Sequence, residues 1–222
     1  MNKRNIGVII MGSQGSGKGT QAKLIAQEYD LQHLETGGIL RNIAKEDSEI
    51  GNIVNNLINK RGEFVPWEIV RDVLNETVED FNLEKGIVFD GTPRRIEEVY
   101  YWEEKLKELG RKFDFIFFIK LSEEESIRRI SSRRICEKGG HPLIMGEDIQ
   151  SDEDKCPVCG GDIYRREDDA PEKVLKRLAW SKEILEPVIE HYREKGRLVE
   201  IDGTGSIPEV FEKIKKHIND SK

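Results

Sequence analysis

Apolar and polar positions along the chain fall into two rhythms that take turns. Short, nearly continuous apolar runs at residues 6–11, 86–90, 115–120 and 197–202 read as buried strands, and residues 33–35 are a weaker candidate for a fifth. Between them the apolar residues recur at helical spacing. The clearest case is residues 21–29, where Ala22, Leu24, Ile25 and Ala26 fall at that spacing; the others are residues 40–45, 51–60, 66–81, 96–109, 123–133, 171–195 and 208–219. Ser122 with Glu125 and Ser206 with Glu209 have capping-box spacing, and Pro171 and Pro208 stand near first-turn positions, where a missing N–H costs nothing. Strand alternating with helix predicts an α/β fold around a parallel sheet. Residues 135–164 break the rhythm: they are rich in Gly, Asp and Pro, hold all three cysteines and read as an inserted module.

The first predicted strand runs into Gly12-Ser13-Gln14-Gly15-Ser16-Gly17-Lys18-Gly19-Thr20, and the first predicted helix follows. Glycines let a backbone wrap closely around phosphate oxygens, so that N–H groups and the helix N-terminus face the anion while Lys18 adds a point charge. In the commonest form of this loop a hydroxyl residue follows the lysine directly; here Gly19 intervenes before Thr20. At 222 residues, with 36% charged residues and a net charge of −7, the chain reads as one principal domain with insertions, whose overall field repels nucleic acid. An anionic ligand must then be captured by local arginine clusters. The apolar run at residues 6–11 is too short for a signal peptide or a membrane span, so a cytoplasmic location is expected, with no membrane partner.

The phosphate loop with Gln21-Ala22, the stretch Thr36-Gly37-Gly38-Ile39-Leu40-Arg41, Asp90-Gly91-Thr92-Pro93-Arg94, the arginines Arg129, Arg133 and Arg134, and Arg166-Glu167-Asp168-Asp169 followed by Arg177 together resemble the adenylate kinase family. The match spans essentially the whole chain. It implies a P-loop kinase core with a five-stranded parallel sheet, formed by residues 1–34, 66–129 and 169–222, a monophosphate-binding insertion at 35–65 and a lid at 130–168. It also implies a monomeric enzyme that interconverts ATP and AMP with two ADP on Mg2+. By the same resemblance Gly15, Ser16, Gly17, Lys18, Gly19, Thr20, Arg129 and Arg133 take ATP. Thr36, Gly91, Glu98 and the arginines Arg41, Arg94, Arg166 and Arg177 take AMP. Lys18, Arg94, Arg129, Arg133, Arg166 and Arg177 serve the transfer, Asp90 organises magnesium beside Thr20, and Asp168 and Asp169 join the arginine network, one of them also capping a helix. Arg133 and Arg134 are placed at the end of a helix. Arg128 is assigned to a solvated helix face.

Two departures bear on specificity and metal. Glu98 falls where the family places a glutamine that reads the AMP base, and Gly38 and Thr92 replace an aspartate and a phenylalanine. An ionised carboxylate offers only acceptors, so three readings stand: looser base reading, a Glu98 turned away or protonated, or a preference for GMP, whose two adjacent donors a carboxylate can pair. Glu97 and Glu98 also fit the start of a solvated helix face. In the lid, Cys136, His141, Cys156 and Cys159 form Cys-x4-His and Cys-x2-Cys, a closed donor set suited to structural Zn2+. The family's metal-bearing lids usually show Cys-x2-Cys in the first half, where Gly139 stands here, so Asp148, Asp152 and Asp154 are alternatives to His141. A zinc-ribbon module that binds nucleic acid is disfavoured by charge. Between residues 137 and 165 the acids Glu137, Glu147, Asp148, Asp152, Glu153, Asp154 and Asp162 outnumber the bases Lys138, Lys155 and Arg165 by seven to three, a net of −4. Phe113, Phe115, Phe117 and Phe118 are assigned to the core, and consecutive Tyr100, Tyr101 and Trp102 cannot share one helix face.

Overall fold

A computed structural model describes residues 5–82 and 84–220. Strands β1 (Gly7–Gly12), β2 (Gln32–Glu35), β3 (Ile87–Asp90), β4 (Phe115–Lys120) and β8 (Leu198–Asp202) form a parallel sheet in the order β2-β3-β1-β4-β8. All six residues of β1 are buried, as a central strand with both faces covered requires. Because successive side chains point to opposite faces, Ile9 and Met11 join one cluster with Phe89, Trp102 and Val188, while Val8 and Ile10 join another with Ile25, Ile201 and Ile214. Helices α5 (Ile96–Glu108) and α7 (Pro171–Glu194) supply the first face, and α1 (Lys18–Tyr29) and α8 (Ile207–Asp220) the second. Since β1 lies between β3 and β4, the chain order reverses there, and the crevice beyond the C-terminal ends of β1 and β3 is where such sheets bind ligands.

The strands fall within a residue of expectation, and the helices differ at informative places. Helix α2 (Thr36–Ile43) starts at Thr36 rather than at residue 40. Gly37 and Gly38 are poor helix formers that hide this start, yet a Cβ on Gly38 would lie 2.8 Å from the Glu35 carboxyl carbon, so the bare backbone is what lets Glu35 fold over the turn. The expected helix at 51–60 is two segments. Helix α3 (Glu49–Asn55) is capped by Ser48, whose hydroxyl accepts from the Gly51 N–H at 3.0 Å, and a π-helical turn, Asn56–Arg61, follows and closes on Gly62 at φ 65°. Helix α4 (Trp67–Glu79) completes this side.

Helix α6 (Glu123–Ser132) is capped by Ser122, which accepts from Glu125 N–H at 3.2 Å. It ends before Arg133, whose backbone is already extended, so Arg133 and Arg134 open strand β5 rather than close a helix. The inserted module is ordered: β5 (Arg133–Cys136), β6 (Pro142–Ile144) and β7 (Ile163–Tyr164) make a small antiparallel sheet in the order β6-β5-β7. Each strand is too short for its periodicity to show in the sequence. A 3-10 turn, Glu167–Asp169, leads into α7; the N-cap is Ala170 and makes no side-chain bond, so neither Asp168 nor Asp169 caps the helix. Among the described residues no helix is long and apolar enough to cross a membrane.

Candidate functional site

The glycine-rich turn between β1 and α1 has the backbone that its sequence demands. Gly15 and Gly17 sit at φ 83° and 86°, and a Cβ on Gly15 would come within 2.9 Å of the Ser126 carbonyl. Lys18 opens α1 from a half-buried position. Burial lowers its ammonium to about 8, with Arg94, Arg133 and Arg177 pushing the same way and Asp90 opposing them. Asp90 ends β3, is itself buried, and lies 3.4 Å from His33 Nε2. Gly19 makes room for it, since a Cβ there would lie 3.2 Å from Asp90 Oδ2.

Four arginines crowd the same crevice from different elements. Arg133, at the start of β5, makes a two-pronged pair with Asp169, Nε at 2.9 Å and Nη2 at 2.6 Å. Arg177, in the second turn of α7, pairs with Asp168, whose carboxyl it draws down despite burial, which acts the other way. Arg94 and Arg166 lack so close a carboxylate. Burial first, then neighbouring cations, hold both down to about 10, still fully protonated at neutral pH. Arg166 Nε and the Thr36 hydroxyl are buried without a protein hydrogen-bond partner, an arrangement that costs free energy unless a ligand oxygen or water completes it. Arg41 reaches the rim of this cluster, its Nη2 donating to Glu35 Oε1 at 3.0 Å. Gly91, at φ 85°, leaves Arg94 room to fold back, as a Cβ there would sit 3.2 Å from Arg94 Nη2.

Arg129 stands on a different set of contacts from the four. Its Nε donates to Glu125 at 2.7 Å, and Arg128 grips the same carboxylate, which together they pull down to about 2. Glu98 is held by groups of its own chain. It is buried, and its Oε2 accepts from the Thr92 hydroxyl and the Arg94 N–H, each at 2.9 Å. Burial raises its carboxyl above the usual range. It is not a solvated helix face.

Several participants carried no signal in the sequence. Phe64 lines the pocket with Lys18, Arg94 and Arg177; the Arg94 guanidinium sits 4.9 Å and that of Arg177 5.9 Å from its ring centre, and the ring stacks on Trp180 at 6.2 Å. Lys176 donates to Glu63 at 2.8 Å and Lys173 to the Asn59 carbonyl, tying the π-helical turn and the segment after it to α7. An isolated phenylalanine or lysine in so charged a chain has no local pattern to distinguish it.

In the inserted module the ligand atoms of Cys136, His141, Cys156 and Cys159 all lie within 4.8 Å of one another, with Cys136 Sγ 3.3 Å from Cys159 Sγ and Cys156 Sγ 3.4 Å from His141 Nδ1. Gly139 is what admits the histidine: a Cβ there would lie 2.3 Å from His141 Cε1. The alternative aspartates are engaged elsewhere, Asp148 with Ile144 N–H, Asp152 with Arg134, and Asp154 with the N–H groups of Gln150 and Ser151. The Gly139 N–H, with the neighbouring thiols, lowers Cys136 to about 6, toward the thiolate that a soft cation needs. Three thiols and an imidazole at this spacing fit a four-coordinate zinc ion.

Known proteins of similar sequence show the family. Residues 10–197 match the sequence model of the family described as adenylate kinase. The chain is 36% identical to adenylate kinase of Archaeoglobus fulgidus over 207 residues, 93% of this chain and 95% of that one. It is 36% identical to the enzyme of Bacillus pumilus over 208 residues, 94% and 95% of the two chains. With adenylate kinase of a Thermoanaerobacter species it shares 35% identity over 213 residues, 96% and 98% of the two.

Proposed function

The chain belongs to the adenylate kinase family, and from that premise we propose that it transfers the γ-phosphoryl group of ATP to AMP, reversibly, giving two ADP. The observation that carries this reading is the convergence of Lys18, Arg94, Arg133, Arg166 and Arg177 on one crevice. An oxygen of the acceptor phosphate attacks the γ-phosphorus, and the bond to the oxygen bridging the β- and γ-phosphorus breaks, leaving its electron pair on the departing ADP. The loose transition state spreads charge over phosphoryl oxygens, so positioned cations do most of the work. Lys18 and the N–H groups of residues 15–20 hold the donor phosphates. Arg94, with Arg41 and the Thr36 hydroxyl, holds the acceptor. Arg133, Arg166 and Arg177 bracket the group in flight. A phosphate monoester is already largely dianionic at neutral pH, so no general base is required. Arg129 meets ATP by exchanging Glu125 for the nucleotide.

Asp168 and Asp169 orient their arginines rather than meet substrate. Asp90 and Thr20 would hold the Mg2+ that accompanies ATP, and the ion would supply neutralisation of phosphate charge. Cys136, His141, Cys156 and Cys159 hold a structural Zn2+ in a lid spanning 130–168, while residues 35–65 form the acceptor insertion. The GMP reading needs a carboxylate presented to the base, and Glu98 is occupied within the protein. The test is a panel of AMP, GMP, CMP and UMP with Mg-ATP. ADP formation with AMP far above the others is expected; no AMP-dependent turnover would overturn the proposal.

A further inference from the structure

The peptide that carries Arg94 is fixed from inside the protein. Trp102, in the second turn of α5 and almost wholly buried, donates its indole N–H to the Thr92 hydroxyl at 3.1 Å. Thr92 donates in turn to Glu98 Oε2 at 2.9 Å, and the same oxygen accepts the Arg94 N–H at 2.9 Å. The second carboxylate oxygen lies 3.7 Å from the Arg95 guanidinium. Thr92 and Glu98 are both buried. Hydrogen bonds to an ionised acceptor are about twice as strong as neutral ones, and a buried network whose members are all satisfied rigidifies what it holds. What this one holds is the turn from Gly91 to Arg94. The side chain of that arginine leads into the pocket beside Lys18, Phe64 and Arg177; Glu98 is not among the lining groups.

We infer that Glu98 is a positioning residue for the acceptor phosphate, acting through Thr92 and the Arg94 backbone, and that it takes no part in recognising the acceptor base. The inference rests on the functional reading given above, with AMP as acceptor. A carboxylate suits the task better than an amide because a single oxygen accepts two donors while the other faces Arg95. A glutamine would turn an NH2 toward that guanidinium, or toward Thr92 and the Arg94 N–H.

The experiment measures KM for AMP, KM for ATP, kcat and acceptor preference in the parent, Glu98→Gln, Thr92→Val, Arg94→Ala and the double variant Glu98→Gln/Arg94→Ala, with circular dichroism and thermal melts showing that each is folded. Glu98→Gln is expected to raise KM for AMP about tenfold and Thr92→Val about threefold, the sizes expected when one charge-assisted or one neutral hydrogen bond is weakened. KM for ATP should stay within about twofold, since the donor loop lies outside the network. AMP should remain the preferred acceptor. In the Arg94→Ala background, Glu98→Gln should change KM for AMP no further, because the group it positions is gone. A switch of acceptor preference in Glu98→Gln, an unchanged KM for AMP, or an undiminished effect without the Arg94 side chain would each overturn the inference. Lack of AMP turnover in the parent would instead overturn the functional reading on which it rests.

Discussion

The parallel core and the inserted module that carries the cysteines are built by different means. In the core, both faces of the sheet carry broad clusters built from β1, β3 and β4 and the helices over them, with the Phe89 ring in edge contact with Phe113 at 5.0 Å and with Trp102 at 5.2 Å. In the inserted module, the buried apolar cluster among the described residues is Cys136, Leu143, Ile149 and Cys156, half of it cysteine. Apolar area buried is worth roughly 25 cal/mol per Å2, so a region with this little of it is ordered by bonds of another kind. Four ligand atoms gathered within 4.8 Å are placed to supply them once a metal ion is bound. Apolar burial in the core is spread over many residues, and in the inserted module it is confined to a few.

The sharpest way to separate structure from chemistry is to alter the core where it meets phosphate. Lys18→Met should leave the fold intact by circular dichroism and reduce turnover at least about a hundredfold, since one preorganised cation at the reacting group is typically worth roughly 3 kcal/mol; near-normal turnover would refute the role of the loop. The lid should break at its ligands instead. Protein purified without added zinc should contain about one equivalent by metal analysis, and chelation or Cys156→Ser should open residues 136–164 to proteases and lower turnover roughly tenfold, because β5 carries Arg133. The core should keep its own melting transition. A lid that stays protease-resistant without metal would erase the contrast.

Asp169→Asn probes the seam between the two regions. It is expected to destabilise the protein by about 1–3 kcal/mol in thermal or urea melts, the cost of weakening a buried charge-assisted pair, and to lower kcat severalfold as Arg133 loses its orientation. Unchanged kcat with lowered stability would make the pair purely structural. The smallest effect comes from proton release. The charged form of Lys18 binds phosphate, and in the free enzyme that form titrates at about 8, below the ordinary lysine value. As pH rises through that value the cation is lost, so kcat/KM for ATP should fall, by roughly fourfold between pH 7 and 8.5 for a single titrating group. Bound phosphates favour the ammonium, so kcat should stay flat over the same range. A kcat/KM that does not fall up to pH 9 would contradict the depressed value.

The strands were legible because buried parallel strands are written as apolar runs, and the phosphate loop because its glycines are required locally. Other features were hidden by partners distant in sequence. Glu98 looks like a surface residue beside Glu97 until α5 brings Trp102 and the turn at Thr92 against it. Asp168 and Asp169 have the sequence position of helix caps, but Arg133 and Arg177 compete for them, and a buried ion pair outweighs a cap. The start of α2 was masked by Gly37-Gly38, whose bare backbone accommodates Glu35. His141 was one of four possible ligands by spacing; the backbone bonds of Asp148 and Asp154 and the Arg134 pair of Asp152 remove the others.

Helix α7 runs for 24 residues with Pro187 inside it, about 36 Å at 1.5 Å per residue. Its first three turns serve two masters. Lys173, Lys176 and Trp180 grip the segment after α3 at Asn59, Glu63 and Phe64, while Arg177 and the turn just before the helix hold Asp168 and Asp169, where the inserted module rejoins the core. The two segments are therefore tied to one another through the first turns of a shared helix. In thermodynamic terms the two nucleotides are linked ligands: whatever factor AMP contributes to ATP affinity by seating this helix, ATP must return to AMP. Cutting the Lys176–Glu63 tie should bring that common factor closer to one, in both directions at once.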